Sequence, residues 1–322
     1  MKYSKGQKIL VGLLTASILC VCVGCGKEED TQSAKQTETQ EATENRAESA
    51  KEETENSEKI VQTDSQEVGD TGEINMDEEF SLEGVTVSIY GDSISTYEGW
   101  IPYGYNNFYP GSGDVEDIND TWWIRVFDET GMILCANASS AGCTCAGDST
   151  DAEKPQVGCS DFRITDLSDN NGAYPDIIVV FMGTNDLLTD IPLGENDGTA
   201  LVEEGIIDNF ADAYSLMLDK LETYYPGSEI YCCTLLQVGD YGTETPYVAF
   251  TNGQGLTAED YSGRIQMIAE NKGYPVIDLY HCGIEIANLQ NMTSDGVHPN
   301  AEGMKYIAEA VTSTIIDVRR GR

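Results

Sequence analysis

Two histidines occur in the 322 residues, His281 and His298, so chemistry that needs an imidazole base has two candidates. His298 stands in "DGVHPN" (295–300), three residues after Asp295, in a segment that turns at Gly296 and stops at Pro299. That spacing lets one loop present a carboxylate and an imidazole on the same side. A serine hydroxyl is a weak nucleophile until such a base takes its proton, and the carboxylate holds the base's tautomer and steadies the imidazolium. The candidate hydroxyl is Ser93, in "IYGDSIST" (89–96), where an apolar run breaks into a polar turn. Charge developing on a carbonyl oxygen then needs donors. The side-chain amide of Asn185 in "GTND" (183–186), the uncrowded N–H of Gly142 at the end of "NASSAG" (137–142), and Ser93's own N–H could supply them. Taken singly these signals are weak. Ser93 also reads as a turn residue, Asn185 as a turn asparagine, and the Asp-Pro content of 295–299 as a helix start. Asp92 and Asp186 read as loop-capping carboxylates, and His281 as a histidine at the edge of a strand.

The elements that must position these groups alternate between two periods. "GVTVSIYG" (84–91), "MILCANA" (132–138), "PDIIVVFMG" (175–183), "EIYCCTLLQ" (229–237) and "PVIDLY" (275–280) are β-rich apolar runs bounded by turn residues. The continuous Ile/Val run of the third suits a strand buried on both faces of a parallel sheet. Helical patterns fall at 121–130, 209–227, 256–273 and 300–318. Five strands alternating with helices predict an α/β fold with a parallel sheet covered on both sides, whose ligand site lies beyond the C-terminal strand ends. Each polar motif falls where that rule puts it.

"GDSIS", Gly142, "GTND" and "DGVHP", in this order, resemble the SGNH/GDSL hydrolase family over residues 82–318. The resemblance implies a flavodoxin-like three-layer α/β/α sandwich on a five-stranded parallel sheet. It also implies serine ester hydrolysis without a metal or other cofactor. Ser93 matches the family's nucleophile, Gly142 and Asn185 its oxyanion donors, and Asp295 and His298 its acid–base pair. The second block departs mildly, with a single glycine in the serine-rich "NASSAGCT". The expected activity is hydrolysis of acetyl or other short acyl esters, on carbohydrate or another small ester substrate. The alternatives are a lysophospholipase, lipase or thioesterase of the same family, or a surface protein that binds glycans without catalysis.

Segment 97–109, "YEGWIPYGYNNFY", is dense in aromatics and directly follows the candidate nucleophile, so Tyr97, Trp100, Tyr103 and Tyr105 are expected to meet substrate. Residues 1–25 begin with lysines, continue into a short apolar run and end at "VGC", the layout of a lipoprotein-type export signal with Cys25 as the lipidated residue. Residues 26–80, rich in Glu, Thr, Gln and Ser, read as an acidic disordered linker, and 81–322 as the hydrolase domain. The expected location is the cell surface, membrane-anchored by lipid alone, with plain secretion as the alternative. A net charge of -38 with no basic patch excludes nucleic acid as a partner. Of ten cysteines seven lie in the domain; Cys232 and Cys233, adjacent in a strand, should point to opposite faces.

Overall fold

The computed structural model describes residues 80–322; the expected signal, Cys25 and nearly all of the expected linker lie outside the described residues. Five strands, β1 (Thr86–Gly91), β2 (Ile133–Asn137), β3 (Ile177–Phe181), β4 (Glu229–Cys233) and β5 (Val276–Ile277), form one sheet in the order β2-β1-β3-β4-β5. All four pairings are parallel. Because side chains alternate along a strand, the sheet feeds two separate cores. Ile177, Val179, Phe181, Tyr231 and Cys233 pack against α1 (Trp122–Thr130) and α4 (Ala301–Arg320). Ile178, Val180, Ile230 and Cys232 face α2 (Phe210–Tyr224) and α3 (Ala258–Lys272). The result is the three-layer flavodoxin-like sandwich expected, with Cys232 and Cys233 in opposite cores. β3 is buried along its whole length.

Helix starts follow the local chemistry. Thr121 caps α1, Asn209 caps α2, and Thr257 with Asp260 forms a capping box on α3. Asn300, the last residue of "DGVHPN", accepts from the N–H groups of Glu302 and Gly303 and so starts α4. The segment that carries His298 is thereby fixed to a 20-residue helix.

All five strands are shorter than their apolar runs, and β4 and β5 lose the most at the C-terminal end. β4 stops at Cys233 rather than reaching 237, because the next segment bonds to side chains: the Leu235 N–H donates to Ser262 Oγ at 3.1 Å. β5 ends at Ile277 because the Leu279 N–H turns back onto the Ile277 carbonyl.

Chain connections leave β1 toward β2 on one side and then cross to β3 on the other. The crevice between the C-terminal ends of β1 and β3 is therefore the topological switch point, where such sheets bind ligands. Ser93 follows β1, and Asn185 follows β3.

Candidate active site

Ser93 opens a single 3-10 turn, Ser93–Ser95, directly after β1. Asp92 caps that turn by accepting the Ile94 N–H at 3.0 Å. The other Asp92 carboxylate oxygen is buried without a partner, and burial pushes the carboxyl up to about 6. The turn leaves Ser93 buried but aimed at His298, whose Nε2 lies 2.8 Å from Ser93 Oγ.

On the other side of the ring, His298 Nδ1 lies 2.7 Å from Asp295 Oδ2. The second carboxylate oxygen accepts the N–H groups of Val297 (3.0 Å) and His298 (2.8 Å), so the loop's own backbone orients the acid. Burial pushes the Asp295 carboxyl up, but the His298 ring and these two N–H groups outweigh it and hold the carboxyl below its usual value. Two residues brought from positions 205 apart thus meet in one hydrogen-bonded row, Ser93, His298, Asp295. His281 forms a similar local pair, Nδ1 to Asp278 Oδ2 at 2.8 Å, but it is exposed.

The donors expected for an oxyanion come to the same end of the sheet. Gly183 (φ +121) makes the turn into the short helix Thr184–Leu188, and a Cβ there would sit 2.9 Å from the Phe210 ring. The Asn185 side-chain nitrogen in that helix is buried and makes no hydrogen bond among the described residues. Gly142 lies in a turn at φ +76, with its neighbour Ala141 held by Asn106. Asp186 is a strut rather than a reagent: its two oxygens accept the N–H groups of Cys145 (2.7 Å) and Ala146 (3.0 Å), tying the Gly142 loop to the "GTND" helix. Burial pushes its carboxyl up to about 7.

A buried arginine, not flagged by any motif, fastens the strand ends. Arg163 donates to the carbonyls of Gly91 (3.0 Å), Ala138 (2.6 Å) and Pro155 (3.2 Å), and lies 4.6 Å over the Tyr90 ring. Carbonyl dipoles and an aromatic face stand in for a carboxylate. The neighbouring thiol of Cys143 is pushed by burial up to about 11, which leaves it protonated and no rival to the serine.

Two loops clamp the His298 segment. Phe108 stacks on the imidazole at 3.6 Å between centroids and 14° between planes. Tyr109 donates its hydroxyl to the Pro299 carbonyl at 2.7 Å. From the other side Tyr241 meets the ring edge-on at 5.7 Å, the Gly239 N–H donates to the Gly296 carbonyl at 2.7 Å, and the Tyr247 hydroxyl donates to the Ser294 carbonyl.

The aromatic loop thus reaches the site through Phe108, a residue the sequence reading passed over in favour of its neighbours. Tyr105 is a correction: it is buried, its hydroxyl donates to Asp166 at 2.8 Å, and its ring packs in the core near Arg163. Tyr97 is half-buried and donates to the Glu116 carbonyl. Tyr103 is fully exposed, and Trp100 is partly exposed against Trp123. Counting aromatics located the loop but not which rings face inward; the usable signal was Phe108's place at the loop's return end.

A family model described as GDSL-like lipase/acylhydrolase matches residues 85–245. The chain belongs to this GDSL family. The match includes Ser93, Gly142 and Asn185, while Asp295 and His298 lie beyond it and join the set by geometry. Solved structures have the same fold. A protein from Bacteroides ovatus described as a GDSL-like lipase is 25% identical, with 73% of this chain and 99% of the other covered, at a TM-score of 0.53. Another, from Bacteroides uniformis, is 27% identical over 72% and 95% of the two chains, at 0.50. A Lactobacillus plantarum protein shares the fold at 21% identity, 74% and 98% coverage and 0.55. No curated protein matches the sequence. The GDSL assignment makes the chain a hydrolase of acyl esters.

Proposed function

We propose that this GDSL hydrolase is a serine esterase that removes acetyl or other short acyl groups from carbohydrate. The observation that carries the mechanism is the row Ser93 Oγ, His298 Nε2 at 2.8 Å, His298 Nδ1, Asp295 Oδ2 at 2.7 Å. Ser93 Oγ attacks the ester carbonyl while His298 takes its proton, and Asp295 stabilises the imidazolium that forms. The carbonyl oxygen becomes an oxyanion, which the unpartnered Asn185 amide and the N–H groups of Ser93 and Gly142 receive. Collapse expels the sugar alkoxide, protonated by His298, and leaves an acyl group on Ser93. Water activated by the same imidazole then releases the acid.

Short acyl preference is supported by the rim. The loops beside His298 are polar and aromatic, with the Phe108 and Tyr241 rings against the base, rather than the long apolar lid expected for a fatty-acyl substrate. We further propose that residues 1–25 export the chain and that acylated Cys25 holds it on a membrane surface, with 26–80 as spacer. The signal-like sequence supports this; no helix among the described residues is long and apolar enough to cross a membrane.

Hydrolysis of 4-nitrophenyl acetate and octanoate by the full chain tests the enzymatic reading, with Ser93→Ala as control. Acetate should be the faster substrate, and Ser93→Ala should lose roughly a thousandfold or more in kcat. Equal rates for the two proteins would end the serine mechanism, and faster octanoate turnover would end the short-chain reading. Cys25→Ala should release the protein from membranes; unchanged partitioning refutes the anchor.

A further inference from the structure

An open groove of about 570 Å3 runs along the outer edge of β2, the strand with no neighbour on that side among the described residues, and neither Ser93 nor His298 lines it. Its walls come from residues 99–102 and 165–170. We propose that this groove binds a neutral carbohydrate chain and holds the sugar units beyond the one that carries the cleaved ester. The inference rests on the carbohydrate-esterase reading for its purpose, but its evidence is separate.

Trp100 supplies the platform. The residue is 45% exposed and its indole is braced by Trp123 at 5.7 Å and 54°, so its position is fixed before any ligand arrives. The C–H face of a sugar ring is apolar and suits an aromatic face, while the ring's rim of hydroxyls needs acceptors and donors. Asp166, Asp169 and Asn170 provide them on the facing wall. The N–H groups of Ala173 and Asn171 fix the Asp169 carboxylate and hold it below its usual value, so it remains a charged acceptor. No Lys or Arg lines the groove, and the chain's charge is -38, which disfavours a polyanion. An acyl chain would desolvate two carboxylates without pairing them.

The groove and the segment that carries Ser93 share a residue. Asn137, at one end, donates its side-chain N–H to the Ser95 carbonyl at 2.9 Å, two residues from Ser93. The loop that contributes Trp100 continues to Phe108 on the His298 ring. A polymer seated on Trp100 would therefore lie against the loop that follows Ser93 in the chain and ends on the His298 ring.

Affinity electrophoresis of the full chain in gels containing xylan, glucomannan or galactan, with polygalacturonate as the anionic control, tests this. A Ser93→Ala background removes turnover, so the outcome does not depend on the esterase chemistry. At least one neutral glycan should retard the protein. Trp100→Ala and the exposed Asn170→Ala should each weaken that binding, Trp100→Ala by about tenfold, equivalent to about 1.4 kcal/mol. Asn170→Ala keeps the test valid should Trp100→Ala destabilise the fold. Absence of retardation by every neutral glycan overturns the proposal. So does binding unchanged in both variants, or polygalacturonate bound as well as the neutral chains.

Discussion

Replacing Phe108 with leucine keeps an apolar side chain beside His298 but removes the π face that lies 3.6 Å from the imidazole, nearly parallel to it. In the proposed mechanism that imidazole is neutral in the resting enzyme and positive in the transition state. A ring stacked on it contributes more when the charge is present, and only that difference accelerates the reaction. A cation over an aromatic face is worth about 0.5–1 kcal/mol when exposed and about 2 kcal/mol when desolvated. The His298 side chain is 8% exposed, which places this pair toward the upper end, at about 1–2 kcal/mol. The expected loss in kcat is therefore about 5- to 30-fold. Steady-state kinetics on a small acetate ester read it, with KM within about twofold of the parent because the ring's effect falls on the transition state. Phe108→Tyr retains the face and should recover most of the rate. A leucine variant with parental kcat, or a tyrosine variant as slow as leucine, refutes the electrostatic role and leaves Phe108 as packing.

Asn185→Ala removes a donor that bonds nothing at rest, so kcat should fall about 10²- to 10³-fold while the thermal midpoint barely moves; a fall in stability without one in rate would assign the amide to the fold. Asp186 and Asp92 give a pH dependence of stability: burial raises both above their unfolded value of 3.8, to about 7 and about 6, so their contribution is full below pH 4 and is lost as pH rises through 6 to 7. At about 1.4 kcal/mol per pH unit the Asp186 share approaches roughly 4 kcal/mol, and denaturant midpoints that rise between pH 5 and pH 8 would contradict it. Asp186→Asn, which cannot ionise, should shrink that slope.

What could be read from the sequence was whatever chemistry is local. Asp295 and His298 are three residues apart, and one loop's backbone does orient the pair, so the spacing was a sufficient guide. Ser93 could be placed because a strand period breaks at Gly91, and parallel strands put the following turn at a known end of the sheet. The number and parallel sense of the strands followed from alternation, and strand ends did not, because β4 and β5 stop where side chains and a tight turn take over the hydrogen bonds. The groups that hold the site in register left no such trace. Arg163 lies 72 residues from the Gly91 carbonyl it fixes, and Tyr109 lies 190 from the Pro299 carbonyl. Neither interaction has a period or a fixed spacing.

The proposed catalytic row divides in the same way. Its short-range half, Asp295 with His298, is set by one loop and should persist when remote contacts are lost. Its long-range half, His298 with Ser93, exists only while three separate segments agree: the turn capped by Asp92, the loop carrying Phe108 and Tyr109, and the hairpin-like loop carrying Gly239 and Tyr241. Loosening any one leaves the base correctly oriented by its acid but shifts it relative to the nucleophile. Because a displacement of about 1 Å at the reacting atoms can cost on the order of a hundredfold in rate, these contacts act on kcat long before they threaten the fold. The two clamp loops also carry the aromatic rings beside His298, so in the proposed mechanism the rim of the site and the contacts that align the base belong to the same segments.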